Sequence, residues 1–327
     1  MEKTLSRVAP SQVSPHTLIP QSQKVDYNKY FGLVSNYGTE GDARFYIPAL
    51  TNINTIASVG QQWESNATRQ QYTTGQIGAP YYRINAYFDF DKQEASVFER
   101  TMGGISLQQF LLASAEQAIE QRKMQGLVLG FNAGEGIVGN ATIATLPQDS
   151  ANSTKLTTYK PAELQQFLSK LASDAMANTF NMSKPIVITS STRVINYLAT
   201  AIVPLTQSQQ NGGGVDSVLG LHERVCKWLG IPKVEIIAND LLRETSSGKD
   251  TILIIAPEID SSKNGGGTNA VGELNGVQFN TTYDIAGALQ VEPNAPHNGR
   301  QSVMMTLKLT SGITLRSEAV VKVEVEY

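Results

Sequence analysis

The chain has 327 residues, and 41% of them are hydrophobic, so it is long enough to bury the core of one large domain or of two to three smaller ones. With 26 cationic and 29 anionic residues its net charge is −3, and the lack of any Lys/Arg run argues against tight non-specific binding of nucleic acid through its phosphates. The charged fraction of 17% is low, and Gln, Asn, Ser and Thr supply the remaining polarity. Such a composition is typical either of a protein that buries much of its surface against neighbours or of an ordinary amide-rich surface.

A single cysteine, Cys226, excludes a disulfide framework and a thiolate metal cluster. It lies between Val225 and Trp228 in a helical pattern, which favours a buried, unreactive thiol. The N-terminal segment has no apolar core of signal-peptide length, and no run approaches the ~20 apolar residues of a membrane span. We therefore expect a chain that is made in the cytosol and has no membrane contact.

Residues 1–45 are polar, and Pro10, Pro15 and Pro20 interrupt them. In isolation such a segment would be a flexible arm. Its aromatic residues are too many for a solvated tail, and they predict an arm that docks onto another surface: Tyr27, Tyr30, Phe31, Tyr37, Phe45 and Tyr46.

Between residues 56 and 100 the sequence is rich in aromatic and β-branched residues with partial alternation. Gly75, Gly78 and Pro80 punctuate this pattern. We predict an extended two-stranded excursion here rather than part of a core sheet. Because a lone hairpin is at best marginally stable in water, something else must hold it.

A long amphipathic helix is predicted next, because Ser106 and Gln109 have the spacing of a capping box and Gly126 can end the helix. Its apolar residues fall on one face: Leu107, Phe110, Leu111, Ala115, Ala118 and Ile119. The segment that follows carries no catalytic side chain, only glycines around Ile137 and Val138. We interpret these glycines as a backbone turn.

Strands and helices alternate from residue 160 to residue 257, which predicts an α/β region. The predicted helices begin at Pro161, at Ser190 and at Ser217, and the predicted strands cover residues 185–189, 234–237 and 251–255, with a helical turn at 240–244. Residues 207–214 and 261–272 are glycine-rich and predict surface loops, and residues 301–309 and 318–327 predict closing strands.

Catalytic, cofactor-binding and metal-binding sites are not predicted. His16, His222 and His297 have no ligand spacing, and the glycine runs lack the phosphate-loop pattern. Asp89 and Asp91 form a pair of carboxylates, which we interpret as a solvated strand face. The spacing of Ser246 and Lys249 matches a serine–lysine nucleophile only by chance, and no Ser/His/Asp set can be assembled.

In this order the elements resemble those of tailed-bacteriophage major capsid proteins of the Hong Kong 97 fold. Those proteins have an N-terminal arm, an extended hairpin called the E-loop, a long spine helix, an axial α/β domain and a peripheral domain closed by C-terminal strands. The helix exit resembles the family most, since a glycine-bearing segment of capsid proteins and encapsulins is matched by Gly130, Gly136, Ile137 and Gly139. The segment Thr310–Arg316, followed by Ala319, is similar to a strand pair near the C-termini of the family.

The resemblance implies an α+β chain of five segments: 1–45 as the N-terminal arm, 46–105 as the E-loop and its flanking strands, 106–157 as the spine helix and the first part of the peripheral domain, 158–290 as the axial domain, and 291–327 as the C-terminal strands of the peripheral domain. We expect the loop at residues 207–214 to face the axis of a ring of subunits. Unlike the type member of the family, this sequence has no long, charged scaffolding extension at its N-terminus; if the sequence is the whole translated product, we expect a separate scaffold or none.

The resemblance also implies a structural protein and not an enzyme. Copies of it would assemble into hexamers and pentamers of an icosahedral head that encloses double-stranded DNA without sequence-specific binding. Scaffolding, portal and decoration proteins are further candidate partners, and the chain would be made in the bacterial host cytoplasm and reside in the virion. The alternatives are an encapsulin-like nanocompartment shell loaded with protein cargo and an α/β enzyme with an unrecognised site.

Overall fold

The computed structural model describes residues 25–54, 71–102, 104–145, 155–179, 185–204, 215–228, 234–244, 248–258, 279–297 and 300–327. No helix in these ranges is long and apolar enough to cross a membrane. The first 24 residues of the predicted arm and the two predicted glycine-rich loops, 207–214 and 261–272, lie outside the described residues.

Secondary structure follows an order that mixes strands and helices throughout. The first half contains β1 (Leu33–Ser35), β2 (Arg44–Asn54), β3 (Gln71–Asp91), α1 (Lys92–Thr101), α2 (Leu107–Val128), α3 (Gly136–Gly139) and β4 (Thr142–Ala144). The second half contains α4 (Pro161–Thr179), β5 (Ile186–Ser190), α5 (Thr192–Thr200), β6 (Ile202–Pro204), β7 (Val215–Ser217), α6 (Val218–Trp228), β8 (Val234–Ala238), β9 (Lys249–Ile255), β10 (Thr281–Asp284), β11 (Gln290–His297), β12 (Arg300–Thr310), β13 (Ile313–Thr314) and β14 (Val320–Glu326).

A five-stranded mixed sheet with the order β4-β14-β9-β5-β8 lies between the two largest apolar cores of the described chain. Alternate residues of its strands enter two different cores, as Ile188 and Ile254 pack against α4 and α6 while Val187 and Leu253 belong to the core that contains α2. Because both faces are covered at the centre of the sheet, β5 and the second half of β9 consist of nearly continuous apolar runs. The predicted helices and strands of residues 160–257 are confirmed here, and Cys226 is fully buried, as predicted.

A second sheet, with the order β11-β12-β3-β2, shows that the prediction for residues 56–100 was only partly right. The first half of β3 pairs with β2 as a two-stranded ribbon, but its second half, Tyr81–Asp91, pairs with β12 inside a packed sheet. The inward residues Ile84 and Phe90 are 6% exposed. Helix α1 was not predicted at all, because the short segment Lys92–Thr101 contains only two large apolar residues.

The described part of the arm docks onto its own chain. Strand β1 pairs in parallel with β10, and Tyr30 and Phe31 are buried in the core that contains α2. Tyr37 and Tyr46 remain 75% and 52% exposed. The predicted docking of the aromatic arm therefore occurs within one chain for Tyr30 and Phe31.

Helix α2 begins next to Ser106 as predicted, but the Ser106 side chain makes no capping hydrogen bond. The helix also runs past Gly126 and ends at Val128, followed by Gly130 with a φ of +87°. Gly126 is needed for packing instead, because a Cβ atom there would lie 2.0 Å from the Phe131 ring. Ala118, predicted on the apolar face, is exposed.

The C-terminal strand crosses the predicted boundary at residue 290. Strand β14, which the sequence assigned to the segment 291–327, pairs along its whole length with β9 of the segment 158–290. It also pairs in parallel with β4 of the segment 106–157. Three of the predicted segments therefore contribute strands to one sheet.

Candidate assembly surface

The ribbon formed by β2 and the first half of β3 is the most prominent extended feature of the described chain. Its antiparallel register runs from the pair Arg44–Pro80 to the pair Asn54–Gln71. At about 3.4 Å per residue, these pairs make a ribbon about 35 Å long. The described strands include none that pairs with it as a third strand. A two-stranded ribbon needs support. Part of that support comes from its root, which is the end of the ribbon formed by residues 44–47 and 77–80.

A small apolar cluster supports the root of the ribbon. Ile47 and Ala79 pack with Ile313 of β13, and each of the three is less than a tenth exposed. Phe45, Ile77 and Leu315 complete the cluster at its edges. The ribbon therefore leaves the body of the subunit from a packed base.

A fully buried carboxylate, Asp284, connects this root to the arm. Its Oδ1 atom accepts hydrogen bonds from the Ser35 hydroxyl at 2.5 Å and from the Tyr37 backbone N–H at 2.9 Å. Its Oδ2 atom accepts from the Gly38 N–H at 3.0 Å and from the Tyr81 hydroxyl at 2.6 Å. Burial and the neighbouring carboxylate raise the pKa of Tyr81 above its usual value, so the hydroxyl remains a donor.

Lys308 of β12 holds the loop between the arm and the ribbon. Its ammonium group contacts the backbone carbonyl oxygens of Thr39, Glu40 and Asp42 and lies 5.3 Å from the centre of the Tyr81 ring. Through Lys308 and Asp284, the loop that follows β1 thus meets β3, β10 and β12 at the root. Sequence reasoning did not find Asp284 or Lys308, because their partners are far away in sequence and form no motif.

The glycine segment after α2 is a close backbone turn. Gly130 and Gly136 both have positive φ angles, and a Cβ atom on Gly136 would lie 2.3 Å from the Gly130 nitrogen. Next to the turn, the Tyr82 hydroxyl donates to Glu135 at 2.6 Å, and burial raises the pKa of Tyr82 to about 12. These contacts join the turn to β3, in keeping with the interpretation of the glycines as a backbone turn.

The one cysteine–histidine contact found among the described side chains is inert. Sγ of Cys226 lies 3.4 Å from Nε2 of His222, and Nδ1 of His222 lies 3.2 Å from the Ser169 hydroxyl. Both Cys226 and His222 are fully buried. Burial lowers the pKa of His222 to about 4 and raises the pKa of Cys226 to about 12, so both side chains are neutral at pH 7. A neutral thiol without access to solvent is a poor nucleophile.

The other side chains considered in the sequence do not form a site. Asp89 pairs with Arg300 at 3.0 Å, whereas Asp91 caps α1 in a capping box with Glu94. Within the described ranges, no group of three or more His, Cys, Asp or Glu side chains could hold a metal ion. His16 and Ser246 lie outside the described residues, and His297 is the last residue of β11.

The chain is similar to known proteins in its structure but not detectably in its sequence. No family model matches the sequence, and no curated protein matches it either. The capsid of Myoviridae phage XM1 matches with a TM-score of 0.65 at 12% identity over 96% of each chain. The capsid of an empty GTA particle has a TM-score of 0.57 at 9% identity, over 95% of this chain and all of the other.

An encapsulin matches as well. The holo-SrpI encapsulin complex from Synechococcus elongatus PCC 7942 has a TM-score of 0.56 at 11% identity, over 96% of this chain and 92% of the other. The mixture of helices and sheets in this chain fits the α+β fold of these capsid structures. The chain has the fold of phage major capsid proteins.

Proposed function

We propose that this chain is the major capsid protein of a tailed bacteriophage, which assembles into hexamers and pentamers of an icosahedral head around double-stranded DNA. The observation that carries the proposal is the agreement of its fold with a phage capsid subunit over 96% of both chains. The net charge of −3 is compatible with a container that encloses DNA without gripping it. Rings of two sizes built from one subunit can close such a shell.

In this proposal the ribbon of β2 and β3 is the E-loop, which lies over an adjacent subunit. Its length and its lack of a third strand in the described chain support this role, because the distal pairs need a partner. Helix α2, which is 22 residues long, is the spine helix, and its buried face packs against the arm, β3 and the central sheet. Residues 158–290 form the axial domain, and the pairing of β14 with β9 favours adding the last strand to it.

Other copies of the chain are the principal partners in this proposal. Scaffolding, portal and decoration proteins are further candidates, and synthesis in the host cytoplasm precedes incorporation into the virion. The loop at residues 207–214 faces the ring axis in this arrangement. The capsid structures that share the fold support a structural rather than an enzymatic role.

An encapsulin-like compartment is the second candidate, favoured by the match to the SrpI encapsulin complex. Both candidates predict shells, so the contents distinguish them. We expect the chain, expressed with its neighbouring genes, to form shells in negative-stain images that package DNA when a phage infection supplies the packaging machinery. Shells that consistently contain a protein cargo and no DNA would favour the compartment. A stable monomer of 35.4 kDa under all conditions would contradict both.

The role of the ribbon can be tested without disturbing the body of the subunit. Ile47 and Ile77 face each other in the ribbon, so an Asn-Gly turn that replaces residues 48–76 leaves the apolar root and the pairing of β3 with β12 in place. We expect this variant to remain folded by circular dichroism but to form no closed shells. Normal shell yield from the variant would refute the proposed role of the ribbon.

A further inference from the structure

Helix α1, between the ribbon and the long helix α2, is an amphipathic helix that its own subunit covers incompletely. None of its ten residues is buried. Val97 is 63% exposed, and Ile105 in the connection to α2 is 41% exposed. An amphipathic helix in a folded subunit normally buries its apolar face, so the exposed side chains indicate that a covering segment is missing.

An apolar groove lies along this helix. It has a volume of about 410 Å³ and is formed by α1, the first turns of α2 and the end of β3. Its apolar lining consists of Phe90, Val97, Phe98, Met102, Leu107 and Leu111. The charged side chains in its lining are Asp89 and Glu94, and Arg300 contacts both at 3.0 and 3.9 Å.

Residues 1–24, which lie outside the described part, have the composition of a segment that fits this groove. They contain three cations and one carboxylate, and this excess of cations complements the net charge of −1 that Asp89, Glu94 and Arg300 have together at the groove. Leu18 and Ile19 form an adjacent apolar pair between Pro15 and Pro20. Pro20 favours an extended conformation for the preceding residue, so ordering Ile19 costs less entropy than ordering a residue of a free chain.

The segment is also tethered within reach of the groove. The described chain begins at Val25, and the Tyr27 hydroxyl donates to Glu120 of α2 at 2.6 Å. Leu111 lies nine residues before Glu120, which corresponds to about 13.5 Å along the helix and to its opposite side. A path around a helix of about 10 Å diameter is therefore about 20 Å long, and six extended residues cover that distance.

The surface that the path crosses suits the intervening residues. The exposed face of α2 there carries the small or uncharged side chains Ser114, Ala118 and Gln121. Residues 20–23 of the chain are Pro-Gln-Ser-Gln, which are also uncharged. No burial of an unpaired charge is needed along this route.

We propose that Leu18 and Ile19 of each subunit dock into the groove between its own α1 and α2. Docking would cover Val97 and would place the segment 1–24 against the helix that leads out of the ribbon. The tether raises the effective concentration of the apolar pair to the millimolar range, so a weak site is sufficient. The proposal does not depend on whether the chain builds a shell.

Disulfide trapping in the full chain tests this docking. Ile19→Cys combined with Val97→Cys is compared with Ile19→Cys combined with Glu99→Cys, whose position is exposed and lies about 200° around α1 from Val97. Mixing chains labelled with ¹⁴N and ¹⁵N separates links within a chain from links between chains. We expect the Val97 pair to close within one chain at least about tenfold faster than the Glu99 pair. Equal rates, or links only between chains, would overturn the proposal.

A second readout does not require a disulfide. The thiol of Val97→Cys should react with a maleimide several-fold more slowly than that of Glu99→Cys, because the docked segment covers it. Adding Leu18→Asp and Ile19→Asp to the Val97→Cys chain should restore fast labelling. Native Cys226 is fully buried and does not interfere. Fast labelling of the Val97→Cys chain without the aspartates would contradict docking.

Discussion

Replacing Asp284 with Asn is the most direct test of the polar site at the root of the ribbon. The carboxylate accepts four hydrogen bonds, two at each oxygen, and each pair of donors includes one backbone N–H, from Tyr37 or from Gly38. Whichever way the amide turns, its NH₂ group faces one of these backbone donors. The hydroxyls of Ser35 and Tyr81 can rotate to accept a hydrogen bond, but a backbone N–H cannot.

The expected loss follows from these contacts. Leaving one N–H without an acceptor costs about 1–3 kcal/mol, and the remaining bonds lose the strength that the negative charge gives them. We therefore expect Asp284→Asn to lower the free energy of unfolding by about 3 kcal/mol. Tyr81→Phe removes a single donor and should cost about 1–2 kcal/mol. Because both changes affect one oxygen network, the double variant should lose less than the sum of the single losses.

Urea unfolding of the unassembled chain, followed by circular dichroism at one protein concentration, measures these losses. Asp42→Asn is the matched control, since the same chemical change occurs in the adjacent loop at an exposed carboxylate that water can solvate. Its effect should be much smaller. If Asp284→Asn and Asp42→Asn shift the unfolding midpoint equally, the four hydrogen bonds at Asp284 do not stabilise the root.

Two further predictions concern the cores on either side of the central sheet. The pKa of His222 is held near 4 in the fold against 6.5 as the ordinary value, so the unfolded chain takes up a proton first and stability is lost as the pH falls from 6.5 towards 4. Between pH 7 and pH 5 the free energy of unfolding of the native chain should therefore fall by about 2 kcal/mol more than that of a His222→Gln variant, as measured by urea unfolding. The same pH dependence in both chains would refute the lowered pKa of His222. In the other core, Gly312→Ala should cost about 2 kcal/mol or more, because its Cβ atom would lie 2.2 Å from the Leu127 carbonyl oxygen. Gly41→Ala has no atom within 4 Å of its Cβ and should leave the unfolding midpoint nearly unchanged, so equal midpoints of the two alanine variants would contradict the packing at Gly312.

Regular periodic elements could be predicted from the sequence because their pattern is local. Helix α4 begins at Pro161 and the strand at residues 186–190 is buried, since a 3.6-residue period and an uninterrupted β-branched run leave few alternatives. The end of α2 could not be predicted, because Gly126 is a helix breaker by propensity and continues the helix only to make room for Phe131. The close approach of Phe131 to Gly126 depends on the turn at Gly130, which directs the chain back against the helix.

The two halves of β3 also differ in whether a local pattern predicts them. Its first half was predicted as a ribbon from alternation and glycines, but nothing in the alternation reveals that Tyr81–Asp91 pairs with Arg300–Thr310 more than two hundred residues later. The polar site at Asp284 was missed for the same reason, since Ser35, Tyr81 and Thr310 reach it from three distant segments. The pairing of β3 with β12 and the polar site at Asp284 both depend on contacts between residues far apart in sequence. The alternation of residue types in a single sequence does not reveal such contacts.

The construction of the root is suited to the assembly role that we propose for the ribbon. Ile47 and Ala79 hold its base by apolar contact, and Asp284 fixes Tyr81 and the arm to the same point through charge-assisted hydrogen bonds. A ribbon held at one end transmits the orientation of the subunit body to its distal end, where backbone groups at both edges lack a strand partner in the described chain. In the proposed assembly role, the position at which the ribbon is held matters more than the side chains that it carries. Such a dependence agrees with the fold being shared with capsid subunits that are only 9–12% identical to this chain.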